Sequence, residues 1–196
     1  MPRSPRETVP MPRLSREPLP MPGGAEGAGP VAAPAAAEPA LRNRRTPVFL
    51  CGERARGDDA VAYAVAEALP AEARGRLTLV EAGALDVDHL LALGEGGTCV
   101  VVDAVAGPPP GTVIEVPLAD LAARRLPAGA RFEAATSTHA LPIPAVLELA
   151  AVLRGAPVRG VFLGVGIADC ALGAPLSPAV ARAVPVLAGA LARVAC

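Results

Sequence analysis

The sequence contains no lysine and no tryptophan, and these absences exclude several classes of function. All eighteen basic residues are arginine, so no lysine can serve a phosphate-binding loop. Aromatic residues make up only 2% of the chain, which leaves few rings that could stack on bases. Many arginines precede position 46 and the net charge is −1, so no broad basic face remains for a nucleic-acid backbone. We therefore predict no nucleic-acid partner.

The chain also lacks cysteine motifs and long apolar runs. No C-x-x-C pair occurs among Cys51, Cys99, Cys170 and Cys196, and two of these fall in predicted buried strands, so we interpret them as structural thiols. Every apolar run is broken by Gly, Pro, Asp or Arg well before it reaches the length of a membrane span. Arg44-Arg45 precedes too short an apolar run for a secretion signal. We expect a cytoplasmic protein without a membrane partner.

Composition divides the chain near residue 45. Residues 1–45 are rich in Pro, Ala, Gly and Arg and poor in branched apolar residues, so we predict a disordered tail without a core and assign it no site. Residues 46–196 hold most of the branched apolar residues, and a segment of this length can bury a core. We predict that they form one domain.

Short apolar runs alternate with amphipathic segments along residues 46–196. Four runs predict strands: Val48–Cys51, Leu77–Val80, Cys99–Asp103 and Val161–Val165. Four segments predict helices: Asp58–Leu69, Val87–Leu93, Ile143–Leu153 and a final helix opened by Ser177 and Pro178. Thr112–Val116 is short and precedes Pro117, which predicts an antiparallel edge strand. This order predicts a three-layer α/β/α sandwich with a mostly parallel sheet of about five strands.

Three polar residues fall at the predicted carboxyl-end rim of this sheet, where open α/β sheets bind ligands. Asp59 follows the first strand, Asp103 ends the third, and His139 precedes a later helix. Two carboxylates and one imidazole suit a divalent first-row transition metal. The alternative stays open at this point: Asp58 and Asp59 would be charges at a helix N-terminus, Asp103 would cap a turn, and His139 would be a solvated loop residue. Glu81 would lie near the same rim, although a solvated strand-end acid is the simpler interpretation.

These residues belong to a set of motifs that occur in a fixed order. The motifs are Arg56–Val61, Val101–Ala104, Pro109–Val113, Ser137–His139, Phe162–Val165 and Leu176–Pro178. With them the chain, over about residues 47–196, resembles the hydrogenase maturation endopeptidases, which trim the C-terminal tail of the large subunit of nickel–iron hydrogenases. The family fold is the same three-layer sandwich. The chain departs from the family pattern at Glu53, where Asn is usual, and at Ala60 and Ala62, where Gly is frequent.

The resemblance implies a function for the three rim residues. In the family the corresponding residues ligate nickel, so Asp59, Asp103 and His139 are the implied metal and catalytic residues. The implied activity is removal of the C-terminal extension of a hydrogenase large-subunit precursor after nickel insertion, with the nickel carried by that partner rather than stably bound here. The metal or a nearby carboxylate would activate the water, and we expect a monomer when the protein is free. Two alternatives stay open: a non-catalytic assembly factor, and a small-molecule-binding α/β domain without a metal.

Overall fold

The computed structural model describes residues 45–125 and 141–194. The predicted tail up to residue 44 lies outside the described residues, and so do Ser137 and His139. Within the described part of the chain, the strands are β1 (Thr46–Cys51), β2 (Leu77–Gly83), β3 (Thr98–Val105), β4 (Val113–Pro117) and β5 (Arg159–Gly166). The helices are α1 (Val61–Glu67), α2 (Ala71–Arg74), α3 (Val87–Leu91), α4 (Leu118–Ala122), α5 (Ile143–Arg154) and α6 (Pro178–Val194), and a 3-10 helix (Gly57–Ala60) precedes α1.

The five strands form one sheet in the order β2-β1-β3-β5-β4. The first four strands of that order are parallel to one another, whereas β4 is antiparallel to β5 at the edge. The predicted mostly parallel sheet and its antiparallel edge strand are therefore confirmed. Because β1, β3 and β5 run in the same direction, their carboxyl ends meet at one rim of the sheet.

Helices cover both faces of the sheet and create two cores. On one face, Leu50, Val102 and Leu163 lie side by side in register and pack with residues of α1 and α6. The next row, Phe49, Val101 and Phe162, points to the opposite face and packs with residues of α3, α4 and α5. This alternation explains why β3 is a continuous run of valines, since each face of a central parallel strand is buried. Burial of each such side chain contributes about 1.5 to 3 kcal/mol.

The helices differ from the sequence prediction mainly before and after α1, while α3 ends at Leu91 instead of Leu93. The segment predicted as one helix from Asp58 to Leu69 begins as the 3-10 helix and continues as α1 only from Val61. Helix α2 is not among the predicted helices; Pro70 is its N-cap and Gly75 its C-cap. Among the described residues, no helix is both long enough and apolar enough to cross a membrane.

Candidate active site

The loop after β1 brings the acidic pair over the carboxyl end of the sheet. Gly52 turns the chain with a φ of 102°, and a Cβ at this position would overlap the carbonyl oxygen of Asp59. Only glycine combines this left-handed conformation with so close a backbone approach. The Tyr63 hydroxyl donates a hydrogen bond of 2.8 Å to the Gly52 carbonyl and so ties α1 to the same turn. The turn therefore determines where Asp59 lies.

Asp59 is half-buried at this rim. Its Oδ2 accepts a hydrogen bond of 2.9 Å from the backbone N–H of Glu53. Burial raises the pKa of the Asp59 carboxyl above its usual value, although the Glu53 N–H and the Arg56 charge act in the opposite direction. One oxygen is thus held by the loop, and the side chain still has contact with solvent.

Asp103 lies near the carboxyl end of β3, next to the end of β1. Its Oδ1 accepts a hydrogen bond of 2.8 Å from the N–H of Ala104. Burial, with a smaller contribution from the negative charge of Asp59, raises the pKa of Asp103 to about 7. The structure therefore brings two of the three predicted site residues, Asp59 and Asp103, near enough for their charges to interact.

Cys51 is a buried neighbour of both carboxylates. It is the last residue of β1, one position beyond the pair formed by Leu50 and Val102. Burial, followed by the charge of Asp103 and a smaller contribution from Asp59, raises the pKa of the Cys51 thiol well above its ordinary value. A buried thiol that stays protonated packs as a small apolar group. This agrees with the interpretation of Cys51 as a structural thiol.

Asp58, the other member of the acidic pair, points to the loop between β5 and α6. It is fully buried, and it is the one polar or charged residue in the buried class among the residues described. Its carboxylate accepts hydrogen bonds from the backbone N–H groups of Ala168, Asp169 and Ser177 in the loop between β5 and α6. Asp58 lies in the first turn of the 3-10 helix, as the interpretation of it as a helix-terminal charge predicts, and its carboxylate is in addition bonded to another loop.

Glu81 forms an ion pair on the surface near the end of β2. Its carboxylate contacts the Arg54 guanidinium, which also forms an ion pair of 3.2 Å with Glu67. The same guanidinium lies 4.2 Å above the ring of Tyr63. The hydrogen bond from Arg54 lowers the pKa of the exposed Glu81 carboxyl. This is the surface role that the simpler interpretation of Glu81 predicted.

The assignment of His139 stays a prediction, since this residue lies outside the described residues. Within residues 45–125 and 141–194, no group of three or more His, Cys, Asp or Glu side chains is arranged to hold a metal ion. Asp59 and Asp103 thus form a pair of carboxylates, and a third ligand would have to come from elsewhere. What the pair offers chemically is negative charge in a partly desolvated crevice, which attracts a cation.

Comparison with known proteins identifies similar folds and one family. The family model for HycI, described as hydrogenase maturation protease, matches residues 63–194. The solved structure of the [NiFe] hydrogenase maturation protease HybD from Thermococcus kodakarensis is similar, with 20% identity, a TM-score of 0.59, and coverage of 78% of this chain and 100% of that one. The hydrogenase maturating endopeptidase HybD from E. coli has 19% identity, a TM-score of 0.54, and coverage of 76% and 90% respectively. No curated protein sequence matches the chain.

Proposed function

The chain belongs to the hydrogenase maturation protease family, and on this premise we propose that its substrate is the precursor of a nickel–iron hydrogenase large subunit. In this proposal the protein is the endopeptidase that removes the C-terminal extension of the precursor after nickel has been inserted. Asp59, Asp103 and His139 recognise the nickel that the precursor carries. The nickel is therefore part of the substrate and not a resident cofactor of this chain.

The observation that supports the proposal is the position of two acids at the same end of the sheet: Asp59 follows the Gly52 turn that ends β1, and Asp103 lies one residue beyond Val102, which pairs with Leu50 of β1. The two residues are 44 positions apart in the sequence, yet the charge of Asp59 contributes to the raised pKa of Asp103. Two carboxylates that repel each other in a partly buried crevice favour a cation between them, because the cation removes the repulsion. A metal centre presented by a partner would supply that charge.

The donor set also supports recognition of a metal held by another chain. Carboxylate and imidazole ligands without a thiolate bind nickel or zinc with moderate affinity, and Asp103 must lose its proton before it can coordinate a metal. With a pKa of about 7, that proton competes with the metal near neutral pH. The isolated protein should therefore be purified largely free of metal. Weak binding suits residues that recognise nickel bound to a substrate.

Binding of the metal centre would position the scissile bond. A precursor held through its nickel has fixed distance and orientation relative to the crevice, so its C-terminal segment lies next to the rim residues. Such positioning converts a slow bimolecular encounter into a reaction within one complex. A precursor without nickel lacks this anchor, which explains how cleavage could wait for nickel insertion.

A processing assay with matched variants tests the proposal. Purified wild-type protein is incubated with a nickel-loaded and with a nickel-free precursor, and loss of the C-terminal extension is followed by mass spectrometry. We expect cleavage of the loaded precursor alone, and a loss of at least about 100-fold in rate for Asp59→Asn and His139→Ala. Asp88→Asn, which removes an equal charge from an exposed position of α3, should cleave at the wild-type rate.

Two results would contradict this assignment. Normal processing by His139→Ala would show that His139 is not a ligand, and cleavage of the nickel-free precursor at the same rate would show that nickel is not read. Circular dichroism of each variant establishes that it is folded at the assay temperature. If wild-type protein leaves every cognate precursor uncut but binds the nickel-loaded form, the assembly-factor alternative replaces the proposal.

A further inference from the structure

The buried carboxylate of Asp58 has no part in the reaction proposed above, because it has no exposed surface. Its Oδ2 accepts hydrogen bonds from the N–H groups of Ala168 at 2.8 Å and Asp169 at 3.1 Å, and its Oδ1 accepts one from Ser177 at 2.6 Å. We call these contacts the Asp58 clamp. They join the loop after β1 to the loop between β5 and α6.

The Asp58 clamp requires an ionised carboxylate. Both carboxylate oxygens face backbone N–H donors, two on Oδ2 and one on Oδ1. An ionised carboxylate only accepts hydrogen bonds, whereas an amide side chain also presents an NH2 donor. In place of Asp58, an asparagine would direct that donor at one of the backbone N–H groups and lose at least one bond.

Further contacts hold the same two loops together. The N–H of Asp58 donates to the carbonyl of Asp169 at 2.8 Å, and the N–H of Gly173 donates to the carbonyl of Ala55 at 2.7 Å. Gly57 has a φ of 51°, and a Cβ there would lie 2.5 Å from the Asp169 carbonyl oxygen. The two loops thus approach each other so closely that one position admits only glycine.

Because Asp58 and Asp59 are consecutive residues of the 3-10 helix, fixing the side chain of Asp58 also limits the orientation of Asp59. Neighbouring residues of a 3-10 helix point about 120° apart, because one turn takes about three residues. The side chain of Asp58 is held by the N–H groups of Ala168, Asp169 and Ser177, so the side chain of Asp59 extends from the helix axis in a different direction. Its Oδ2 accepts a hydrogen bond of 2.9 Å from the Glu53 N–H.

We propose that Asp58 is a positioning residue that, through the Asp58 clamp, holds the Asp59 carboxylate in place at the sheet rim. It acts on the substrate only through Asp59. The catalytic part of this inference rests on the function proposed above, whereas the positioning part concerns this chain alone. The two parts are therefore tested by separate measurements.

The first measurement is an NMR comparison that needs no substrate. The Glu53 amide proton reports on Asp59, because this N–H donates to the Asp59 carboxylate. In Asp58→Asn we expect that signal to move toward its position in Asp59→Asn. We also expect the Ala168 and Ser177 amides to exchange with solvent at least about tenfold faster, as the loss of a hydrogen bond to a charged group implies. A Glu53 signal that stays at its wild-type position would overturn the proposal.

The second measurement is single-turnover processing of the nickel-loaded precursor by Asp58→Asn, at a temperature where circular dichroism shows the variant to be folded. A carboxylate displaced by about 1 Å reduces such a rate by about 100-fold, and this is the expected loss. Asp120→Asn, at an exposed ion pair with Arg125, should retain the wild-type rate. A folded Asp58→Asn variant that processes within about threefold of wild type would show that Asp58 supports stability alone, which contradicts the proposal.

Two arrangements keep the test decisive. If Asp58→Asn does not fold, Gly57→Ala retains the carboxylate but presses on the Asp169 carbonyl, and the same two measurements apply with the same expected directions. If wild-type protein processes no precursor, the proposed function fails, and the Glu53 signal alone decides whether Asp58 positions Asp59.

Discussion

Replacement of Asp103 by asparagine should make the protein more stable at neutral and alkaline pH. Burial raises the pKa of this carboxyl from 3.8 to about 7, so the folded state binds a proton that the unfolded state has already lost. In such a case the free energy of unfolding is greatest below the pKa of the carboxyl in the unfolded state, and it falls as the pH rises toward the pKa in the folded state. Wild-type protein should therefore lose stability between about pH 4 and pH 7 on account of Asp103.

The size of the effect follows from the two pKa values. Each pKa unit corresponds to about 1.4 kcal/mol. The rise of the Asp103 pKa from 3.8 to about 7 therefore lowers the free energy of unfolding by at most about 4 kcal/mol above pH 7. Asp103 is half-buried, and contact with water reduces the penalty, which leaves about 2 to 4 kcal/mol. An asparagine Oδ1 can still accept the Ala104 N–H, so the amide keeps the one hydrogen bond recorded for this side chain.

Urea unfolding of wild type and Asp103→Asn at pH 4.5 and pH 8, in the presence of a chelator, measures this difference. We expect the variant to be more stable by no more than about 1 kcal/mol at pH 4.5 and by about 2 to 4 kcal/mol at pH 8. Asp88→Asn, at an exposed position, should change little at either pH. A variant that is less stable than wild type at pH 8, or a difference that does not depend on pH, would refute the reasoning.

Three further predictions concern the scaffold. Gly52→Ala should lower the free energy of unfolding by about 2 kcal/mol or more and slow processing, because it strains a φ of 102° and presses on the Asp59 carbonyl. Thermal unfolding measures the stability and the processing assay measures the rate. An unchanged melting temperature would contradict the prediction. Phe162→Ala should lower the free energy of unfolding, measured in urea, by about 3 to 5 kcal/mol, since Phe162 is 0% exposed. Val152→Ala, at a position that is 76% exposed, should change it by less than about 0.5 kcal/mol. Equal losses of stability in the two variants would contradict the assigned core. Deletion of residues 1–45 should leave the melting temperature nearly unchanged, because their composition provides few branched apolar side chains; a large decrease in a calorimetric scan would contradict this prediction.

The sequence allowed most of the fold to be predicted because the strand signals are local. The valine run of β3 suits a strand covered on both faces, and the structure places Val100, Val101 and Val102 at 0% exposure. Proline at the end of β4 correctly indicated an edge strand. Helix α2 was missed for a local reason as well, since a helix of four residues between Pro70 and Gly75 is too short to show periodicity.

The division of roles between Asp58 and Asp59 could not be predicted from the sequence. Both are acids in the first turn of a helical segment, so the helix dipole favours both alike. What distinguishes Asp58 is a set of hydrogen bonds from backbone N–H groups 110 to 119 residues later in the chain. Such donors cannot be recognised from the sequence, because almost every residue type has a backbone N–H group. The family resemblance, in contrast, had already selected Asp59 as the residue that faces the metal, and its half-buried position at the rim is compatible with that role.

The strand order has a consequence for how the chain is made. Strand β5 is the last strand to leave the ribosome, but it lies between β3 and β4 in the sheet. Until β5 is complete, β4 has no strand to pair with and the valine-rich β3 offers an open edge to any other extended chain. The sheet can therefore be completed only after residue 166 has been synthesised, so one edge of β3 stays unpaired while residues 106–166 are made. The unpaired edge of β3 is therefore a feature of the growing chain and is absent from the finished sheet, where β5 covers it.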